Sequence, residues 1–392
     1  MRCIWRCWAL TVALLAATAV GRPSRADDSG RLLRLDHYVG VRSTVPAISG
    51  QMTEIYVREV VGARSLRDGV GANRVVLFVH GAGTPAEVSF DVPYRDYSWM
   101  EYLARAGFDV FGMANTGYGR STRPSPMNDP CNLASDQQLA LNLDGHAEPC
   151  VPSYGAQMTT IRSDWDEIGA VVDHLLALRH VPRVSLAAWS LGGPRAGGYA
   201  AQHPDKVQSL VLLAPAYTRD AADNPPAQVP APGTAMTKQS RDDLMALWNR
   251  QVGCADQYDQ AVLNAVWSSM LESDPVGATW GAVRRAPQVT SWGWNAKAVA
   301  ATHVPTMMVT GEHDKQVLSP RVRDSLYRYW RQPKDPDRAR LLLAQCDVGE
   351  EPLAAVSGIA RVADQEDRER PPAGHDPHGV LTPVACRETR LI

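Results

Sequence analysis

Short apolar runs rich in β-branched residues alternate along this chain with longer amphipathic stretches. This alternation is typical of βαβ units, so it predicts an α/β fold with a mostly parallel central sheet flanked by helices. Apolar residues spaced by three and four predict a helix over 161–179, and a second helix is expected over 97–106. The predicted strands cover residues 75–79, 108–113, 184–188, 207–213, 305–310 and 339–344.

Two stretches interrupt the alternation. Residues 121–154 are rich in turn formers, which predicts a long excursion over the surface. A proline-rich linker over 224–232 introduces a Trp-rich stretch with a helical pattern, and we expect a helical lid over 217–301 inserted between two strands. The expected organisation is a core over 27–216, this lid, the second part of the core over 302–346 and an atypical C-terminal tail over 347–392.

The N-terminal 26 residues have the pattern of a signal peptide. Arg2 and Arg6 precede an apolar run over 8–20, and small residues at Ser24 and Ala26 suit cleavage after Ala26. That run is short for a membrane span, although an uncleaved anchor is the alternative. We therefore expect an exported protein, periplasmic or secreted, with no membrane attachment after cleavage.

Composition narrows the functional classes. Of the 392 residues 45% are apolar, which is enough for one large domain with an insertion or for two smaller domains. The 40 basic and 42 acidic residues give a formal charge of -2, so no global field favours nucleic acid or an anionic membrane. Small neutral or mixed substrates are therefore expected, and composition does not decide the oligomeric state.

The cysteines indicate a possible disulfide rather than a metal site. Cleavage would remove Cys3 and Cys7 and leave an odd number of cysteines: Cys131, Cys150, Cys254, Cys346 and Cys386. Cys131 and Cys150 flank a polar stretch, and an oxidising compartment permits them to form a disulfide. None of the spacings is typical of zinc ligands, so no metal is expected.

The strongest local signal is the segment around Ser190. An apolar strand leads directly to this serine, and the small residues from Gly192 onwards suit a helix that approaches the strand closely. This is the pattern of a nucleophile elbow, with Ala188 where the usual G-x-S-x-G motif has its first glycine. The alternative is an ordinary strand-to-helix turn that contains a serine.

Three further motifs follow predicted strands. His80-Gly81-Ala82-Gly83 comes first, then the segment 115–121 (Asn-Thr-Gly-Tyr-Gly-Arg-Ser), and 311–314 (Gly-Glu-His-Asp) comes after the elbow. In order and spacing these motifs resemble the serine α/β-hydrolase family with an inserted cap, over roughly residues 55 to 345. The family often has an acidic residue where Asn115 stands, a departure that we expect to affect loop support more than chemistry.

The resemblance implies roles for several residues. The oxyanion hole would use the backbone amides of Ala82 and Leu191, whereas the imidazole of His80 is expected only to shape its loop. Asp314 fits the position of the triad acid, with Glu312 as its rival and His313 as a neighbour. A serine at the elbow argues against the haloalkane dehalogenase and epoxide hydrolase branches, which use an aspartate there.

The catalytic histidine is the weakest part of the pattern. Residues 345–374 contain no histidine, and only His375 and His378 follow the 311–314 motif. Pro372-Ala373-Gly374-His375 resembles the family's approach to its base, so His375 is the candidate, 61 residues after Asp314 (375 minus 314). An alternative hypothesis is a change of reading frame near Cys346 that removes the native base, which resequencing after Leu343 would test.

The expected function is hydrolysis of an ester or related acyl bond by a Ser-His-Asp mechanism, with a small-molecule substrate and without a cofactor. An aminopeptidase is the nearest rival, and it would need a carboxylate in the lid, for which Asp242, Asp243, Glu272 and Asp274 are candidates. A noncatalytic binding protein is a third interpretation. Five tryptophans could line an acyl pocket or pack the lid onto the core: Trp248, Trp267, Trp280, Trp292 and Trp294.

Overall fold

Ten strands are defined in the computed structural model, which describes residues 30–141, 148–220, 235–252, 258–280, 284–287, 293–311 and 342–346. In chain order they are β1 (Leu32–Arg42), β2 (Met52–Gly62), β3 (Val75–Val79), β4 (Asp109–Met113), β5 (Val184–Trp189), β6 (Val207–Leu213), β7 (Met236–Gln239), β8 (Arg284–Pro287), β9 (Thr306–Gly311) and β10 (Leu342–Cys346). Eight of them form one sheet in the order β1-β2-β4-β3-β5-β6-β9-β10.

Most of this sheet is parallel, as the sequence predicts. β2 runs antiparallel to both β1 and β4, whereas each neighbouring pair from β4 across to β10 is parallel. In the parallel part the last residues of the strands lie side by side, with Val79 opposite Ala188 and Leu213 opposite Val309. The segments that follow β3, β5, β6 and β9 therefore begin at one edge of the sheet, the carboxyl edge.

Helices cover both faces of the sheet. They are α1 (Ala63–Asp68), α2 (Ala86–Phe90), α3 (Trp99–Arg105), α4 (Ser135–Leu141), α5 (Ile161–Arg179), α6 (Gly192–Gln202), α7 (Arg241–Asn249), α8 (Gln260–Ser273), α9 (Pro275–Ala278) and α10 (Ala296–Ala301). All five residues of β3 and of β4 are buried. Burial on both faces explains why these strands are continuous apolar runs rather than alternating ones.

The two faces have separate apolar cores. Leu77 of β3 packs in a cluster with Ile168 of α5 and Ala196 of α6. Its neighbour Phe78 lies in the cluster on the other face, with residues of α2 and α3 such as Met100. Successive side chains of a strand point to opposite faces, so one short run of apolar residues supplies both cores.

Helix α5 has the bounds that the sequence predicts, and its ends explain them. The Thr160 hydroxyl accepts a hydrogen bond from the Ser163 amide, and the Ser163 side chain accepts one from the Thr160 amide, which forms a capping box. His180 ends the helix in the left-handed conformation, with φ of 53°.

The segment between β6 and β9 is described in parts, and these are less uniformly helical than expected. It contains α7 to α10, but β7 and β8 also pair as a two-stranded antiparallel sheet. Apolar residues of α8, including Trp267, pack against Val88 of α2 and Val92 beyond it. The linker over 224–232 lies outside the described residues.

The excursion after β4 is stabilised by the expected disulfide. Cys131 and Cys150 are joined, and their Cα atoms lie 5.3 Å apart. Met127, Leu133 and Met158 of this region form a small buried cluster with Ala235 and Met236 of the insertion. Short 3-10 turns at Ser125–Asn128 and Pro130–Asn132, followed by α4, provide most of its local structure.

Several predictions concern residues outside the described ranges. These are the signal peptide over 1–26, the tail over 347–392, and Cys254 and Cys386. Within the part of the chain that the structure describes, every helix is too short or too polar to cross a membrane.

Candidate active site

The candidate nucleophile Ser190 lies between β5 and α6. Its φ angle is +54°, in the left-handed region that a non-glycine residue rarely adopts. Three backbone hydrogen bonds of 2.9 Å hold this turn: the Ser190 amide donates to the Leu213 carbonyl, and the Ser190 carbonyl accepts from the amides of Gly193 and Ala216. The strained conformation is thus fixed by contacts to α6 and to the segment after β6.

Two glycines allow the close packing around this turn. A Cβ on Gly192 would lie 2.4 Å from the Val79 carbonyl oxygen, and a Cβ on Gly81 would lie 3.0 Å from the Ser190 Cβ. Even an alanine would therefore collide with the backbone at Gly192. The loop after β3 consequently lies directly against the serine, whose residue surface is 8% exposed.

His80 is fully buried and binds the backbone. Its Nδ1 lies 2.7 Å from the Gly81 carbonyl oxygen, and its Nε2 accepts a hydrogen bond of 3.1 Å from the Asn115 amide. Because the Asn115 amide can only donate, Nε2 acts as an acceptor, and Nδ1 lies 3.4 Å from the Arg195 Nη1 as well. The Tyr118 ring packs on the imidazole at a centroid distance of 4.5 Å. This arrangement agrees with the expectation that His80 shapes its loop.

A fully buried ion pair supports the same loop. Arg195 of α6 donates from Nε to Asp164 of α5 at 2.6 Å, and neither side chain has exposed surface. The Arg195 Nη1 donates to the carbonyl oxygens of His80 at 3.0 Å and Gly81 at 3.1 Å. Sequence reasoning missed this pair, although a charged residue among the small apolar residues of α6 was a signal of it.

A second buried carboxylate supports the loop after β4. One oxygen of Glu167 accepts hydrogen bonds from the Asn115 side chain at 2.9 Å and from the Thr116 amide at 3.0 Å. These contacts agree with the loop-support role that the sequence predicts for Asn115. Burial, and then the negative charge of Asp164, raise the pKa of Glu167 to about 7.

Glu87 is a third buried acid near this edge of the sheet. It lies on α2, directly after the loop that follows β3, and neither carboxylate oxygen has a hydrogen-bond partner among the described residues. Burial raises the pKa of Glu87 to about 7. The carboxyl group packs against Gly119, where an added Cβ would lie 2.7 Å from Oε1.

The remaining predicted site residues are only partly described. Ala82 is exposed and Leu191 is buried, and neither backbone amide donates to another backbone group within the described residues. Asp314, its rival Glu312, His313 and His375 lie outside the described ranges. Their roles stay predictions.

The acidic candidates of the insertion have structural partners or lie at the surface. Asp243 accepts a hydrogen bond from the Ser240 amide and caps α7. Asp274 caps α9 and pairs with Arg123 at 2.7 Å. Asp242 and Glu272 are exposed. The two buried or capping carboxylates are therefore already engaged.

The described tryptophans pack the insertion onto the core. Trp294 is fully buried, stacks edge-on against Tyr217 and lies so close to Gly197 of α6 that an added Cβ would be 2.5 Å from its ring. Trp267 and Trp248 belong to the cluster against α2, and Trp280 lies against the excursion. Trp292 is outside the described residues.

Comparisons with known proteins agree with this geometry. The alpha/beta hydrolase fold family matches residues 74–332. Over 86 residues the chain is 44% identical to pimeloyl-[acyl-carrier protein] methyl ester esterase of Chromobacterium violaceum, a match that covers 21% of this chain and only 32% of that enzyme.

The chain also matches solved structures at low sequence identity. A bromoperoxidase from Bacillus anthracis is 14% identical, with a TM-score of 0.49 and coverage of 85% of this chain and 99% of the other. A thermophilic esterase from Thermogutta terrifontis is 16% identical, with a TM-score of 0.45 and coverage of 84% and 97%. Because the family match spans more than half of its residues, the chain belongs to the alpha/beta hydrolase fold family.

Proposed function

We propose that this chain is an exported serine hydrolase that cleaves a carboxylic ester or a related acyl bond. The observation that carries the proposal is the position of Ser190, in a left-handed turn between β5 and α6 at the carboxyl edge of the sheet. A turn of this kind presents a serine hydroxyl to substrate while the adjacent helix N-terminus favours negative charge.

The proposed reaction proceeds through an acyl-enzyme. The Ser190 hydroxyl oxygen attacks the substrate carbonyl carbon, and His375 accepts the hydroxyl proton and later delivers it to the leaving alcohol. Water then repeats the attack on the acyl-enzyme and releases the acid. Asp314, which follows β9 closely in the sequence, would hold the imidazole in the required tautomer.

Two backbone amides that lack a backbone acceptor within the described ranges support this proposal. The tetrahedral intermediate carries an oxyanion, which needs donors that are already oriented before the reaction. Leu191 directly follows Ser190, and Ala82 follows Gly81, where an added Cβ would lie 3.0 Å from the Ser190 Cβ. Neither amide donates to another backbone group in the described ranges, so both are free of that competition.

Ester hydrolysis is favoured over aminopeptidase activity by the acids of the insertion. A peptidase of this type must bind a free ammonium group with a carboxylate. Asp274 already neutralises Arg123, and Asp243 caps a helix. The other two candidates, Asp242 and Glu272, are exposed at the surface of their helices. The partial match to a methyl ester esterase also supports an ester substrate.

Export is proposed from two observations. The N-terminal 26 residues have the signal peptide pattern, and Cys131 and Cys150 form a disulfide, which suits an oxidising compartment. Fractionation of cells that express the full chain would test it: the processed protein should leave the cytoplasm, and retention there of a full-length protein would contradict export.

Labelling with a fluorophosphonate probe tests the nucleophile. We expect wild-type protein to be labelled and Ser190→Ala, with its fold intact by circular dichroism, to remain unlabelled. Ser185→Ala is a matched control, since this buried serine on β5 bonds only to Ser209 among the described contacts. A folded wild-type protein that never labels would indicate a noncatalytic binding protein.

A substrate panel then separates the two activities. Turnover of p-nitrophenyl esters with little turnover of aminoacyl anilides would support the esterase. The reverse preference would support the peptidase. His375→Ala in the same assay tests the base, since loss of the histidine should lower kcat by at least about a hundredfold.

A further inference from the structure

Arg195 is a charged residue among the small buried residues of α6, the helix that follows Ser190. Its side chain has no exposed surface, and one donor, Nε, binds the carboxylate of Asp164 at 2.6 Å. A second donor, Nη1, is directed at main-chain carbonyl oxygens, those of His80 at 3.0 Å and Gly81 at 3.1 Å. A buried guanidinium is costly, so its use on two carbonyls of one loop calls for a reason beyond packing.

The geometry of the peptide bond supplies that reason. The Gly81 carbonyl and the Ala82 amide belong to one planar trans peptide unit, in which C=O and N–H point in opposite directions. Arg195 binds this carbonyl from the interior. The Ala82 N–H therefore points away from the interior, and Ala82 is exposed on that outer side.

The same contact ties the loop to the helix that follows the nucleophile. His80 also contacts the Gly81 carbonyl oxygen, at 2.7 Å, but it is the neighbouring residue and so cannot fix where the loop lies relative to Ser190. Arg195 is on α6, which begins directly after the elbow. Its hydrogen bonds span 115 and 114 residues of sequence and join the loop after β3 to α6.

We propose that Arg195 is a positioning residue for the oxyanion hole: its guanidinium holds the Gly81–Ala82 peptide so that the Ala82 amide faces the space in front of Ser190. Asp164 neutralises the guanidinium and fixes its orientation. The catalytic consequence rests on the proposed function, whereas the orientation of the peptide is a property of the folded chain.

Arg195→Lys tests the catalytic consequence. Lysine keeps a positive charge beside Asp164, but one ammonium group cannot reproduce the planar fork that serves a carboxylate and two carbonyls. Loss of one oxyanion donor typically costs about a hundred- to a thousandfold in kcat. We expect kcat for a p-nitrophenyl ester to fall by about tenfold to a hundredfold, because the donor is misdirected rather than removed, with KM within about threefold.

Arg179→Lys is the matched control. Arg179 is also a mostly buried arginine that pairs with carboxylates, but Asp109 lies at the start of β4 and Glu59 on the neighbouring strand β2, away from the loop after β3. Its substitution should leave kcat within about twofold of wild type. An equal fall of kcat in both variants, or an unchanged kcat in Arg195→Lys, would overturn the proposal.

Amide hydrogen exchange tests the orientation without relying on activity. In a Ser190→Ala background, Arg195→Lys should speed exchange of the segment 80–85 by at least about tenfold, since the loop loses its anchor to α6. Exchange in β5 should not change, and Arg179→Lys should not affect the loop. Unchanged exchange of 80–85 in Arg195→Lys contradicts the proposal whatever the activity.

The two measurements keep the hypotheses apart. If the loop responds in exchange but wild-type protein shows no Ser190-dependent labelling, the positioning role stands and the serine hydrolase proposal fails. If labelling depends on Ser190 but the loop does not respond to Arg195→Lys, the hydrolase proposal stands and the positioning role is wrong.

Discussion

Two buried arginine clusters lie at opposite edges of the central sheet. At the carboxyl edge, Arg195 pairs with the single carboxylate of Asp164 and binds two backbone carbonyls. At the amino edge, Arg179 at the end of α5 pairs with both Glu59 and Asp109. His37 joins this second cluster through Glu59, at 2.6 Å.

The difference between the clusters lies in what each arginine holds. The described hydrogen bonds of Arg179 go to side chains, which can rearrange or share protons. Burial and the charge of Glu59 raise the pKa of Asp109 to about 7. Near neutral pH the carboxylate of Glu59 is therefore enough to neutralise Arg179. Arg195 has one counter-charge and holds main chain, so we expect its edge to tolerate much less change.

The largest expected effect comes from removing that counter-charge. Asp164→Asn would leave Arg195 buried without a charged partner, and breaking a buried pair in this way typically costs about 3–5 kcal/mol in the free energy of unfolding. Urea unfolding at pH 7.5 would measure it. Activity should fall as well, because the guanidinium loses its orientation.

Asp109→Asn is the matched substitution at the amino edge. Glu59 would still neutralise Arg179, and the acid that is lost has a raised pKa, so we expect a cost of about 1 kcal/mol, that of an ordinary hydrogen bond. Equal costs for the two substitutions would contradict the distinction between the clusters.

Glu87→Gln tests how burial changes the pKa, and so the contribution to stability, of a carboxyl group that has no arginine bonded to it. The pKa of Glu87 is raised from 4.5 to about 7, so between these pH values the folded chain keeps a proton that the unfolded chain has lost. The free energy of unfolding therefore falls as pH rises through this window, by on the order of 3 kcal/mol in total. Glutamine is neutral throughout, so the variant should lack this loss.

Unfolding free energies at pH 5 and pH 8 would show it. From pH 5 to pH 8 the free energy of unfolding should fall less in the variant than in wild type. Equal changes in the two proteins would show that Glu87 does not titrate in this window. Asp68→Asn, at an exposed carboxylate of α1, is a control that should leave the slope between pH 5 and pH 8 in place.

The parallel part of the fold was accessible from sequence because burial on both faces makes its strands continuous apolar runs. β3 and β6 have the predicted bounds, β4 and β5 differ by one residue at one end, and β9 is shifted by one residue at both ends. β10 begins three residues and ends two residues later than the predicted strand 339–344. β1 and β2 were not predicted. β1 is an edge strand in which most residues are exposed or half-buried, so its apolar pattern is weak.

The site was predictable only where a local motif encodes it. The turn at Ser190 and the loop at His80 each lie within a few residues of sequence, and small residues mark both. Arg195, Asp164 and Glu167 act across long separations, since the Arg195 contact with Asp164 spans 31 residues and the Glu167 contact with Asn115 spans 52. No local sequence pattern indicates such pairings, and a buried acid on α5 cannot be distinguished in sequence from an exposed one.

The smallest expected difference is between alanine substitutions of two glycines, one at each edge of the sheet. Gly119, in the loop after β4, has φ of +52°, and an added Cβ would lie 3.0 Å from the Pro85 Cβ and closer still to Glu87. Gly107, before β4, has φ of +87° and nothing within 4 Å of an added Cβ. Alanine at either position incurs the cost of a left-handed conformation, about 1–2 kcal/mol. Gly119→Ala should cost about 1 kcal/mol more than Gly107→Ala, because it also crowds Pro85 and Glu87, which follow the loop after β3. Only Gly119→Ala should lower kcat, so equal kcat values for the two variants in the ester assay would show that the loop after β4 does not support the site.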